Sequence, residues 1–170
     1  MLAILGAPIA TRSRSRMSHR YFEDFAVGDI QKPSGRIRVE KSDIIAFAKQ
    51  FDPQPFHLDD EGGRKSIFGR LVASGWHTAA MTMRLVAGSE YRPAEGTIGL
   101  GVDGLRWPIP VVPGDELRIE NEVIDKRLSK SRPDRGLLKI RTRTFNQAGQ
   151  VVQELTANAL VPRRLAHDKA

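Results

Sequence analysis

Between Lys41 and Phe51 the apolar side chains fall at Ile44, Phe47, Ala48 and Phe51, a helical spacing that predicts an amphipathic helix over those residues. Asp43 lies in its first turn, where a carboxylate favours the macrodipole. Pro53 ends it, because the residue before a proline is pushed out of the helical region. A second helix is predicted over 74–88, SGWHTAAMTMRLVAG, opening at Ser74-Gly75 and closing at Gly88. Its apolar residues Trp76, Ala79, Ala80, Met83, Leu85 and Val86 occupy more than one face, and only Arg84 is plainly polar. This helix is therefore expected to be largely buried.

Elsewhere the period is two. RIRVE (36–40) reads as a short strand. Four longer strands follow in TIGLGVDGLRW (97–107), ELRIENEVID (116–125), LLKIRTRTF (137–145) and VVQELTANALV (151–161). Pro113-Gly114 and Ala148-Gly149 supply turns, and residues 126–135 read as a basic connection. Gly99 and Gly101 on the first long strand would let a backbone or a ligand come close. The stretch DDEGGRKSIFG (59–69) predicts a short helical turn with acids at its start, then a glycine-rich link. Helices first and meandering strands afterwards give an α+β class: one domain, with a buried helix against a curved antiparallel sheet.

Length sets the same limit. A chain of 170 residues suffices for one hydrophobic core and leaves little room for a second. It has no apolar run near the roughly 20 residues that span a bilayer. The absence of cysteine removes disulfides, thiolate metal sites and cysteine nucleophiles, and a reducing, cytoplasmic setting fits. The net charge of +7 is concentrated, since Arg12, Arg14, Arg16 and Arg20 precede any acid. What remains is unremarkable for a soluble domain, and no nucleic-acid-reading motif accompanies it. Residues 1–19 have the Arg- and Ser-rich, acid-free character of an organellar transit peptide. The plainer expectation is a disordered leader or an extension upstream of a start at Met17, with the domain over 20–162 and a frayed tail over 163–170.

Four histidines could carry chemistry. His19 and His167 fall in the leader and tail, and His77 reads as a buried helix residue. Asp52 and His57 are close enough to converge once Pro53 and Pro55 force a turn, and together they offer acid–base chemistry on a water or a substrate carbon. Spacing alone favours the blander alternative, a turn aspartate and a packed loop histidine. Asp59, Asp60 and Glu61 read as a helix-start cluster, and no metal-ligand spacing occurs. Gly75, at a helix N-terminus, has a free backbone N–H able to stabilise negative charge on an oxygen; a tight turn explains the glycine equally well.

FDPQPFHLDDE resembles the hydratase motif of the MaoC-like dehydratases, the R-specific enoyl-CoA hydratase family, which usually runs Gly-Asp-x-Asn-Pro-hydrophobic-His. YFEDFAVGD, SDIIAFAKQF, FGRLVASGWHTAAM and LRWPIPVVPGDEL resemble the same family in the same order, over about residues 20–162. The resemblance implies a hotdog fold, a long helix wrapped by an antiparallel sheet, paired into a homodimer or higher homo-oligomer. It also implies reversible hydration of a 2-enoyl-CoA thioester to a 3-hydroxyacyl-CoA, with an acyl-CoA as substrate partner and no metal or redox cofactor. Carried over by position, Asp52 and His57 activate the water, and the Gly75 N–H holds the thioester oxygen.

The chain departs from the family pattern at Phe51, in place of glycine, and at Gln54, in place of asparagine. These two, with Phe56 and Trp76, are the expected substrate-pocket residues. Arg64, Lys65, Arg70, Lys130, Arg132 and Arg135 are the candidates for the coenzyme A phosphates. Two rivals share the fold: a hotdog acyl-CoA thioesterase, and a non-catalytic acyl-thioester-binding subunit.

Overall fold

The computed structural model describes residues 20–164. A short 3₁₀ turn, Phe22–Asp24, leads into two brief strands, β1 (Ile30–Gln31) and β2 (Ile37–Arg38). Helix α1 (Lys41–Phe51) follows, then the short α2 (Pro55–Leu58) and α3 (Asp60–Lys65), and the longest helix, α4 (Gly75–Ala87). The remainder is β3 (Ile98–Arg106), β4 (Glu116–Leu128), β5 (Arg135–Phe145) and β6 (Val151–Pro162). All six strands form one antiparallel sheet in the order β1-β4-β5-β6-β3, with β2 also on β4. In β4, Leu117, Ile119, Asn121 and Val123 point inward, the period-two burial expected of a half-covered strand.

The inner face of the sheet wraps α4. His77, Thr78, Met81, Thr82 and Leu85 are buried against it, and the Thr82 and Thr144 hydroxyls meet at 2.7 Å. Leu117, Ile119, Val152, Val39, Ile44 and Val111 complete the main core. Each such side chain contributes about 1.5–3 kcal/mol by leaving water. The architecture is that of a hotdog α+β domain, as the sequence resemblance implies.

Several expectations need correcting. Helix α4 is covered on one side only: Trp76, Ala80, Met83, Arg84 and Ala87 form an exposed stripe. Its apolar residues are therefore divided between the core and this exposed stripe. Strand β4 runs on to Leu128, so residues 126–128 belong to the sheet and the basic connection is confined to 129–134. Gly62 and Gly63 sit inside α3 rather than in a link. A Cβ at Gly62 would fall 2.2 Å from the Pro55 carbonyl oxygen, and one at Gly63 2.3 Å from the Arg70–Leu71 backbone, so both glycines allow close packing on α2 and the following segment. At Gly99 and Gly101 a Cβ would meet nothing within 4 Å, so none of the described residues makes the expected close approach.

The leader, residues 1–19, lies outside the described residues, as do residues 165–170. Arg163 and Arg164, expected in a frayed tail, are instead clasped onto the first turn of the domain. Arg163 Nε lies 3.2 Å from Glu23, Arg164 Nη2 2.8 Å from Asp24, and the Arg164 N–H donates to Glu23 at 3.0 Å.

Candidate active site

The chain brings Asp52 and His57 together by stopping one helix and starting another. Asp52 caps α1, its N–H still donating to the Ala48 carbonyl at 2.9 Å. Pro55 opens α2, where its missing N–H costs nothing, and two residues on His57 faces back toward Asp52. Asp52 Oδ2 lies 3.5 Å from His57 Nε2. The other ring nitrogen, Nδ1, lies 2.7 Å from the Val72 carbonyl oxygen. A carbonyl only accepts, so Nδ1 carries a proton, and Nε2 is turned to the carboxylate side. The segment supplying that carbonyl is itself pinned, with Val72 N–H on Phe56 O at 3.1 Å and Ala73 N–H on Val111 O at 2.8 Å.

Both Asp52 oxygens are occupied. Ser74 Oγ donates to Oδ2 at 2.6 Å, and Gln54 Nε2 donates to Oδ1 at 2.9 Å. The Ser74 bond, then the Gln54 bond, outweigh partial burial and hold the Asp52 carboxyl below the usual carboxylate range, with His57 adding to the same effect. Asp52 is thus an anion at neutral pH. Ser74 also caps α4, accepting the Trp76 N–H at 3.2 Å. The N–H of Gly75, at the first position of α4, has no intrahelical acceptor and finds no other among the described residues.

These groups open onto a cavity of about 410 Å³, walled by Asp52, Gln54, Phe56, His57, Phe68, Gly75, Trp76, Thr78 and the stretch Trp107–Val111. Of the expected pocket residues, Gln54, Phe56 and Trp76 line this cavity. Phe51 does not line the cavity: it is 63% exposed on the last turn of α1, its ring 5.0 Å from that of Phe47. Arg64, Lys65 and Arg70 flank the α2–α3 side, with Lys65 engaged by Glu61 at 2.7 Å. Lys130, Arg132 and Arg135 are elsewhere. Lys130 and Arg132 lie in the connection between β4 and β5, and Arg135, which opens β5, is bound to Glu95 at 2.8 Å. None of the three lines the cavity.

Asp59 accepts the Gly62 N–H at 2.7 Å as the cap of α3, and Asp60 pairs with Lys41, so the acidic cluster is structural. His77 is buried and stacked 4.8 Å from Phe47, and burial holds its imidazole below the usual value, partly opposed by Asp43. Ser74, Trp107 and Gln153 are not among the site residues expected from the sequence. A serine directly before a glycine at a helix start was the signal for the first; nothing in the sequence marked the other two.

This hotdog domain sets an ionised aspartate, a histidine bonded through Nδ1 and a helix N-terminus around one cavity, an arrangement capable of acid–base chemistry. The sequence comparisons agree with that class. Residues 24–141 match the model of the MaoC like domain, and the chain belongs to the MaoC-like dehydratase family. It is 31% identical over 108 residues to a 3-hydroxybutyryl-CoA dehydratase of Methylorubrum extorquens, covering 62% of this chain and 64% of that protein. Among solved structures it resembles a MaoC-like dehydratase from Rhodospirillum rubrum at 53% identity, with a TM-score of 0.81 over 86% of this chain and 99% of that one. It also resembles the R-hydratase PhaJ1 from Pseudomonas aeruginosa at 30% identity, with a TM-score of 0.68 over 85% and 86% of the two chains.

Proposed function

We propose that this protein is a hydro-lyase adding water reversibly across the double bond of a 2-enoyl-CoA thioester, giving a 3-hydroxyacyl-CoA. The observation that carries the proposal is the Asp52–His57 pair, 3.5 Å apart with Nδ1 committed to the Val72 carbonyl. Two acceptors so placed share a single water, one O–H directed to each. As the water oxygen bonds to the β-carbon, Nε2 takes its proton, and the imidazolium formed lies between the Val72 carbonyl and the Asp52 carboxylate. The π electrons move toward the thioester, whose oxygen gains negative charge against the Gly75 N–H. The proton then returns to the α-carbon, so hydroxyl and hydrogen are both delivered and no net proton is consumed. In the reverse direction the same groups remove water.

The reading includes a second copy of the chain. The stripe of α4 is exposed, and so is β3 at the edge of the sheet, whose Ile98, Leu100 and Val102 are each 55% exposed. A free, apolar edge is an invitation to pair. A symmetric dimer through β3 and α4 buries both features and covers the Trp76 side of the cavity.

The test is a panel of trans-2-enoyl-CoA esters. Loss of the conjugated enoyl absorbance without release of free thiol is expected. Thiol release would make the protein a thioesterase, and silence in both channels would leave an acyl-thioester-binding subunit.

A further inference from the structure

Trp107 is held in an unusual way. Its indole lies face-on against the first residue of α4: a Cβ on Gly75 would sit 2.7, 2.8 and 3.0 Å from the ring atoms Cδ2, Cε2 and Cε3. Its Nε1–H donates to Gln153 Oε1 at 2.8 Å. Gln153 is fully buried, that bond is the sole side-chain bond it makes, and its Nε2 has no partner among the described residues. A buried amide left half-satisfied weakens the fold relative to an apolar side chain of similar size. Core packing therefore does not account for glutamine here; placing the Trp107 ring does. The second indole, Trp76, stands edge-on to Trp107 at 5.5 Å, so the pair frames the first turn of α4.

We propose that Trp107, fixed in place by Gln153, is the wall that selects the acyl group, restricting the site to short, flat, unbranched 2-enoyl thioesters. The inference rests on the hydratase reading. A thioester oxygen on the Gly75 N–H puts the conjugated C=C–C=O plane alongside the indole face, with the Asp52–His57 pair opposite. A planar enoyl group fits that slot, whereas a branch on the α-carbon or a long chain folding back strikes the ring. Trp107 is a specificity-determining residue, and Gln153 positions it.

The experiment compares wild type with Trp107→Leu and Gln153→Leu in two assays. The first is quenching of intrinsic fluorescence, which in wild type comes from the two tryptophans, by unreactive saturated butanoyl-CoA and decanoyl-CoA. The second is turnover of four-carbon, ten-carbon and α-methyl-branched enoyl-CoA. Wild type should prefer the short ligand. Trp107→Leu should shift the short-to-long preference by tenfold or more, through KM rather than kcat. Gln153→Leu, whose core is if anything better satisfied, should fold and give an intermediate shift with altered emission from the loosened indole. Binding in all three proteins with an unchanged length preference would overturn the wall while leaving the hydratase reading intact. No binding or turnover of any acyl-CoA by wild type would overturn both.

Discussion

The Ser74 hydroxyl reaches across 22 positions of sequence to donate to Asp52 Oδ2 at 2.6 Å while accepting the Trp76 N–H at 3.2 Å. One side chain thus ties the cap of α4 to the carboxylate at the end of α1. The group that starts the central helix also keeps the acid ionised.

Ser74→Ala separates these roles. Losing the cap should cost about 1 kcal/mol in urea-unfolding stability. Losing the leading hydrogen bond should let the Asp52 carboxyl rise toward its ordinary value. A depressed native carboxyl adds stability above its unfolded value, and that stability is lost as pH falls through the lower native value. The variant should therefore show less acid-dependent stability loss, and the acid limb of its pH–rate profile should move to higher pH. An unmoved acid limb would remove Ser74 from the control of Asp52.

Asp52→Asn keeps the shape and the Gln54 neighbour but removes the anion. Turnover of an enoyl-CoA substrate should fall by about 10²–10⁴-fold with the melting temperature within a few degrees of wild type. Full activity in this variant would sink the proposed mechanism.

Gly75→Ala should cost about 1–3 kcal/mol, because the new methyl meets the Trp107 ring well inside van der Waals contact. Most of that cost should vanish in a Trp107→Leu background. A double-mutant thermal-melt cycle measures the coupling, and additive effects would mean that the ring and the glycine are energetically independent.

His77 predicts a second pH effect, of different origin. Burial lowers its native imidazole value, so on acidification the unfolded chain takes up a proton before the folded one does. Its penalty is absent at alkaline pH, appears as pH drops below the ordinary histidine value, and saturates below the native one. His77→Leu should therefore gain stability relative to wild type at pH 5 compared with pH 8, read from urea midpoints at both.

Val102→Asp, on the free edge of β3, should convert a dimer to a monomer in sedimentation at micromolar concentration. A monomeric wild type would refute the proposed pairing.

What the sequence revealed follows the range of the interactions. Helix α1 occupies Lys41–Phe51 as its apolar spacing predicts, and α4 fits within a residue at each end, since both are specified by residues three and four apart. The alternation of β5 and β6 was equally plain. The two-residue β1 was not, because Ile30 and Gln31 acquire strand character only by pairing with Glu122 and Asn121. The end of β4 was missed for a related reason: Lys126 and Arg127 look like loop until Leu138 and Leu137 lie opposite them. At the site, Asp52 and His57 were visible as near neighbours. The Gln153 bond to Trp107 spans 46 residues and left no local trace.

The clasp of Arg163 and Arg164 on Glu23 and Asp24 brings the two limits of the domain to one place. A short linker from 164 to 20, with new ends at the exposed Ala148-Gly149 turn, would keep every strand pairing and the whole Asp52 cavity in a circularly permuted order.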